Sequence, residues 1–265
     1  MPRFSIRRML SSAFLAGGCA VVHAAPPLIT DDAEVAEKDT FEIYAGYDYV
    51  ATGGAITRQM PTIEFDYGII DRVEVTLEVP YLSVEGGRGL GDLAVATKWV
   101  VLEETKTRPA IAVEGEWKLH NGSVVRGLGT GRFDYEFLIP VQKTWGWFTG
   151  MLNFGLDFIG DPRINGITEH RNNVWFVGFA QRCKMNDKTR LLSEVYVQHA
   201  EEQGVRNQFA VNVGFEREIT HHLALQMAIG KSLRESASGG PDLHVYVGLH
   251  GTFDAPWKRT KKDGK

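Results

Sequence analysis

The sequence predicts an all-β protein: a single transmembrane, antiparallel, up-and-down β-barrel of about twelve strands. Three observations point there. From Thr40 onward, apolar residues recur at every second position, the strand period, not the longer helical one. The alternating runs are roughly ten residues long, the length a tilted strand needs to cross a bilayer. The connections alternate between short and long, as they do when turns collect at one rim of a barrel and loops at the other.

Composition narrows the alternatives. The 265 residues suffice for one large domain with a sizeable interior. A formal net charge of −4 and a pI near 6.1 argue against a nucleic-acid partner. With 14 Phe, 8 Tyr and 6 Trp the chain is not a disordered one. Two Cys cannot form a disulfide scaffold. No apolar run is long enough for a transmembrane helix.

Residues 1–24 read as an export signal. Arg3, Arg7 and Arg8 form the basic start, Met9 to Val22 is mostly apolar or small, and Val22-His23-Ala24 sets the cut before Ala25. Lipidation at Cys19 is the weaker reading, because Leu15 lies one place too far from it. The leader holds three of the 29 basic residues and no acidic ones, so its removal leaves 26 against 33, a formal −7. Only Cys183 then remains, which suits a bacterial periplasm or outer membrane. Residues 25–39 lack strand alternation and are expected as an extended segment, either periplasmic or in the lumen.

The barrel occupies residues 40–253. In order, the outward parity carries Phe41, Ile43 and Tyr47; Ile63, Phe65 and Tyr67; Val73, Val75, Leu77 and Val79; Val95, Trp99 and Val101; Ile111, Val113 and Trp117; Phe133, Tyr135, Phe137 and Ile139; and Phe148, Phe154, Leu156 and Phe158. Asn173 to Arg182 is apolar on both parities, so its facing is ambiguous, and Arg190 to His199 alternates weakly. Alternation returns with Phe209, Val211, Val213 and Phe215, then Leu223, Leu225, Met227 and Ile229, then Leu243, Val245, Val247, Leu249 and Phe253.

Short connections are expected at 68–71, 102–108, 142–146, 185–189 and 218–221. Long ones are expected at 51–61, 83–92, 120–132, 160–171, 200–207 and 231–242. An even strand number puts both termini on the short-turn, periplasmic side. Closure follows from backbone chemistry, since in hydrocarbon every N–H and C=O needs a partner. The apolar parity then meets lipid. Aromatics fall where girdles belong: Phe41, Trp99, Phe148, Phe215 and Phe253 near one rim, and Tyr49, Tyr81, Phe133 and Phe158 near the other. An exported β-sandwich also alternates, but does not call for rim aromatics or alternating loop lengths.

A set of motifs adds to this reading. They are the start Pro26-Pro27-Leu28-Ile29-Thr30-Asp31-Asp32-Ala33, Tyr67-Gly68 followed by Asp71-Arg72 and Pro80, Gly89-Leu90-Gly91-Asp92 with Lys98, and Gly127-Leu128-Gly129-Thr130-Gly131. Together they resemble the meta-pathway phenol-degradation family of outer-membrane, transporter-like proteins, over nearly the whole mature chain. The resemblance implies an outer-membrane barrel and a channel for small molecules, aromatic ones among them. One departure is Asp254 to Lys265, a basic tail after Phe253, where such barrels commonly end on an aromatic; it is expected to be disordered.

The lumen parity holds the candidate site. Glu42, Glu64, Asp66, Glu74, Glu78, Glu114, Glu116, Asp134 and Glu136 stand there with Arg72, Lys98 and Lys118. Such carboxylates make an acidic pore wall that favours cations, or a salt-bridged filling. The function expected is passive passage of a small solute in the outer membrane, without enzymatic activity. The 25–39 segment is a candidate gate, and the loops 83–92 and 120–132 would shape the entrance. Outer-membrane lipid and the barrel-assembly machinery are the expected partners, and no nucleic acid, cofactor or metal is expected. An outer-membrane acyl hydrolase is the enzymatic alternative, but His120, Ser123 and His199 lack the spacing to share one face. A non-conducting structural or surface-binding barrel is the third. The glycine loop 127–131 lacks the Gly-Lys-Ser/Thr of a phosphate cradle and reads as a flexible outer loop. Adjacent His221 and His222 point to opposite faces and read as rim residues rather than ligands.

Overall fold

The computed structural model describes residues 26–53, 55–164, 167–234 and 240–258. The predicted leader and residues 259–265 of the basic tail lie outside the described residues. The strands are β1 (Thr40–Thr52), β2 (Ala55–Ile70), β3 (Val73–Val84), β4 (Gly87–Leu90), β5 (Ala94–Leu102), β6 (Ala110–Lys118), β7 (Asp134–Trp145), β8 (Phe148–Phe158), β9 (Arg163–Ile164), β10 (Ile167–Thr168), β11 (Val174–Asn186), β12 (Thr189–Gln198), β13 (Gln208–Thr220), β14 (Leu223–Ser232) and β15 (Leu243–Asp254). Thirteen of them form one sheet. Its short member β4 is only a hairpin arm on β3, which leaves twelve staves. Each stave pairs antiparallel with its neighbours, and β1 pairs with β15 from Thr40↔Asp254 to Ala51↔Leu243, so the sheet closes on itself.

Facing follows the predicted parity. On β3, Glu74 and Glu78 are buried, while Val75 and Leu77 between them are exposed. Phe137, Phe154, Leu156, Val213 and Ile229 are likewise exposed on the outer wall. In water this would be a large apolar patch; around a closed barrel it is a lipid-facing band. Trp99 and Phe253 mark the short-turn rim, and Tyr81, Phe133 and Phe158 the loop rim, as expected. Trp145, Trp147 and Trp257 extend the short-turn girdle.

Several local expectations are corrected. The predicted 51–61 loop is strand: β1 and β2 run on as a hairpin with Gly53 (φ 56°) at its tip. Pairing satisfies the backbone there, Arg58 lies over the Tyr49 ring, and Pro61, which has no N–H to donate, falls at the register shift between Gln59 and Thr62. At the other rim β7 continues to Trp145, so its turn is Gly146-Trp147. The 127–131 loop is packed rather than loose: the Asp92 carboxylate accepts N–H bonds from Gly122 at 2.7 Å and Thr130 at 3.0 Å. The start of the tail is also ordered. The Ala255 N–H bonds the Asp39 carbonyl, and Trp257 packs edge-on against Phe41 and Tyr67.

Candidate functional site: an N-terminal segment across the lumen

Residues 26–39 run inside the barrel. Their entry needs a close approach at two glycines. A Cβ on Gly68 would lie 2.1 Å from the Glu37 carbonyl oxygen, and one on Gly178 would lie 2.4 Å from Thr30 Oγ1. At the rim, Asp39 N–H donates to the Gly68 carbonyl at 2.8 Å.

Apolar residues of the segment meet three patches on the inner wall. Leu28 packs with Met151, Ala180 and Leu192. Ile29 packs against Leu138, Phe176, Tyr196 and Ala210. Ala33 and Val35 pack with Val100, Ala110 and Ala112. This resolves the ambiguous run at 173–182. Phe176 and Ala180 face inward, where the segment gives them an apolar partner, and Val174 is buried on the same face, while Trp175, Val177 and Phe179 are exposed on the outer wall.

Backbone groups of the segment are met by side chains of the staves instead of by strand pairing. Glu194 accepts from Ile29 N–H at 2.9 Å and Thr30 N–H at 2.7 Å. Asn153 accepts from Asp31 N–H at 2.6 Å and donates to the Asp31 carbonyl at 2.8 Å. Glu74 accepts from Ala36 N–H at 2.7 Å. The acidic side chains of the segment find counter-charges: Asp31 lies 2.5 Å from Lys98 Nζ, which also lies 3.4 Å from Glu74, and Asp32 takes a 2.6 Å bond from Arg182. Gln142 donates to Glu34 at 2.6 Å.

The predicted lumen residues are distributed as follows. Glu64, Asp66, Glu74, Glu78, Lys98, Glu116 and Asp134 are buried inside, and Glu42, Glu114, Lys118 and Glu136 are half-buried. Lys118 pairs with Asp134, and Glu42 takes bonds from His250 and the Tyr44 hydroxyl. Arg72 is the correction: it sits exposed in the β2–β3 turn at φ 68°, because the two-residue turn absorbs the position the parity had assigned to the wall. Parity places Asn153 and Glu194 on the inner face, where they are buried, but it missed Arg182 and the apolar inner wall. The double-parity run at 173–182 was the one signal that the interior needed an apolar partner.

Space remains around the segment. A void of about 20 Å³ is bounded by Asp31, Lys98 and the carboxylates of β2, β3 and β6. A cavity of about 370 Å³ opens toward the short-turn rim, between Asp32, Glu42, Arg182, Arg190, Glu216 and His222. At the opposite rim the His120 ring packs on Phe133 and His199 bonds the Asn173 carbonyl.

No family model matches the chain, and no curated protein matches it in sequence. Solved structures do match in shape. An outer membrane channel from Pseudomonas putida F1 is similar at a TM-score of 0.70 and 15% identity, over 84% of this chain and 98% of that one. The NanC porin is similar at 0.58 and 8% identity, over 80% and 98%. The KdgM porin, solved with disordered oligogalacturonate, is similar at 0.54 and 8%, over 79% and 99%. The fold is the one these outer-membrane channels use. At such identities the likeness concerns the fold alone.

Proposed function

We propose that the chain is an outer-membrane channel for passive passage of a small solute, with cations favoured over anions and with the N-terminal segment restricting the lumen. One observation carries the reading. The closed barrel turns apolar side chains outward along its whole girth and encloses ionisable ones. A soluble protein has no use for that inversion, whereas a lipid bilayer requires it. The acidic inner face of β2, β3 and β6 supports the preference for cations.

The motif likeness to the meta-pathway phenol-degradation family supports an aromatic solute. Its most specific piece, Pro26 to Asp32, includes Leu28 and Ile29, which pack on the inner wall. Export by the 1–24 leader, assembly by the barrel machinery and a seat in outer-membrane lipid complete the reading. The segment that fills the bore favours a second reading, a barrel that does not conduct. Reconstitution into a planar lipid bilayer separates the two. Discrete conductance steps are expected from the full chain, and their absence in a protein that shows the heat-dependent gel shift of a folded barrel would leave only the second.

A further inference from the structure

Apart from one bridge between Lys38 and Gly68 at the rim, the segment pairs with no stave among the described residues, so its hold deeper in the lumen depends on side chains. Some of these contacts are apolar, and others are bonds from carboxylate or amide side chains to its backbone. One is different. The void beside Asp31 is bounded by seven carboxylates, Asp31 included, and by a single ammonium, that of Lys98. The Asp31 and Lys98 side chains are both almost wholly buried. A carboxylate brought into such a place is held only by a paired counter-charge. A second cation near the segment, Arg182, is engaged by Asp32.

We propose that Lys98 is the electrostatic latch that keeps the N-terminal segment across the lumen. The proposal rests on the channel reading and names its regulation: the bore is closed while Asp31 is bound to Lys98 and opens when that pair separates. Without Lys98, an ionised Asp31 faces the carboxylates of Glu64, Asp66, Glu74, Glu78, Glu114 and Glu116 and is better solvated outside. Asn at position 31 keeps the side-chain shape and both backbone bonds to Asn153 but carries no charge to be expelled.

The test uses the full mature chain at pH 8 with two readouts. Position of the segment is read by the rate at which a water-soluble maleimide labels Ala33→Cys, in a Cys183→Ser background; Ala33 is 3% exposed. Opening is read by planar-bilayer conductance. Lys98→Met is expected to raise both labelling rate and open probability about tenfold or more, because a buried charge without its partner is strongly disfavoured. Adding Asp31→Asn to Lys98→Met is expected to return both to near the starting values, a rescue that a merely structural role for Lys98 does not produce. Lys98→Gln serves if Lys98→Met lacks the gel shift of a folded barrel. Unchanged labelling in the single variant, or a double variant that labels as fast as the single one, overturns the latch. Labelling that follows the latch with no conductance in any variant upholds the latch and overturns the channel.

Discussion

The Asn153 side chain grips the Asp31 peptide from both sides, accepting from its N–H at 2.6 Å and donating to its carbonyl at 2.8 Å. Asn153 is fully buried. It therefore replaces, for one residue of an unpaired segment, the two bonds that a strand neighbour would supply. Replacing it with Ala leaves two buried backbone groups unmet, at about 1–3 kcal/mol each. Asn153→Ala should speed amide hydrogen exchange at residues 29–33 while the barrel keeps its gel shift. Equal exchange in both proteins would mean that the pair does not hold the segment.

Ion selectivity reports on the inner wall. Glu74 and Glu116 are both buried against the void. In a potassium chloride gradient the reversal potential should show cation preference, and Glu74→Gln combined with Glu116→Gln should lower the cation-to-anion permeability ratio roughly twofold or more. A ratio that stays constant places the selective region elsewhere in the bore.

The outer wall makes a separate prediction. Val213 lies mid-strand on β13, 54% exposed, with Ser193 and Ile229 beside it. Arg at that position should lower the unfolding free energy in lipid by about 2–4 kcal/mol. A spin label at Val75 or Val213 should be quenched by lipid-dissolved oxygen rather than by a water-borne nickel chelate. The reverse order of accessibility would remove the basis for a lipid-facing band.

At the loop rim, Asp161 accepts from Arg171 N–H at 2.8 Å and lies 2.7 Å from His170 Nδ1. These bonds, the Arg171 amide first, hold its carboxyl below the ordinary aspartate value of 3.8. A carboxyl whose folded value is depressed supports the structure above its unfolded value and loses that support as the pH falls through the folded one. The backbone at Asp161 and Arg171 should therefore keep its exchange protection through neutral and mildly acidic pH and loosen only below 3.8. Asp161→Asn should abolish that transition; the same pH dependence in the wild type and in Asp161→Asn would mean that this carboxyl does not hold the loop.

Much of the architecture was written in the order of residues. A period of two with one apolar parity specifies strands that each need hydrocarbon on one side, and a backbone in hydrocarbon leaves closure as the outcome, so Val75 out and Glu74 in follow from sequence alone. A short turn was legible at 68–71, but β2 runs on to Ile70 and the turn is Asp71-Arg72, so the facing of Arg72 was not legible, because a turn breaks the alternation that carries the inference. The segment at 26–39 could be read as lacking strand pattern and as a candidate gate, with its place, periplasm or lumen, left open. Its path depends on contacts between residues over a hundred positions apart, such as Asp31 with Asn153 and Ile29 with Glu194. Alternation describes how a residue faces its own sheet and is silent about a chain that runs through the bore. Only the tertiary structure could decide that Phe176 looks inward, that Lys98 meets Asp31, and that the bore is occupied by its own N-terminal strap.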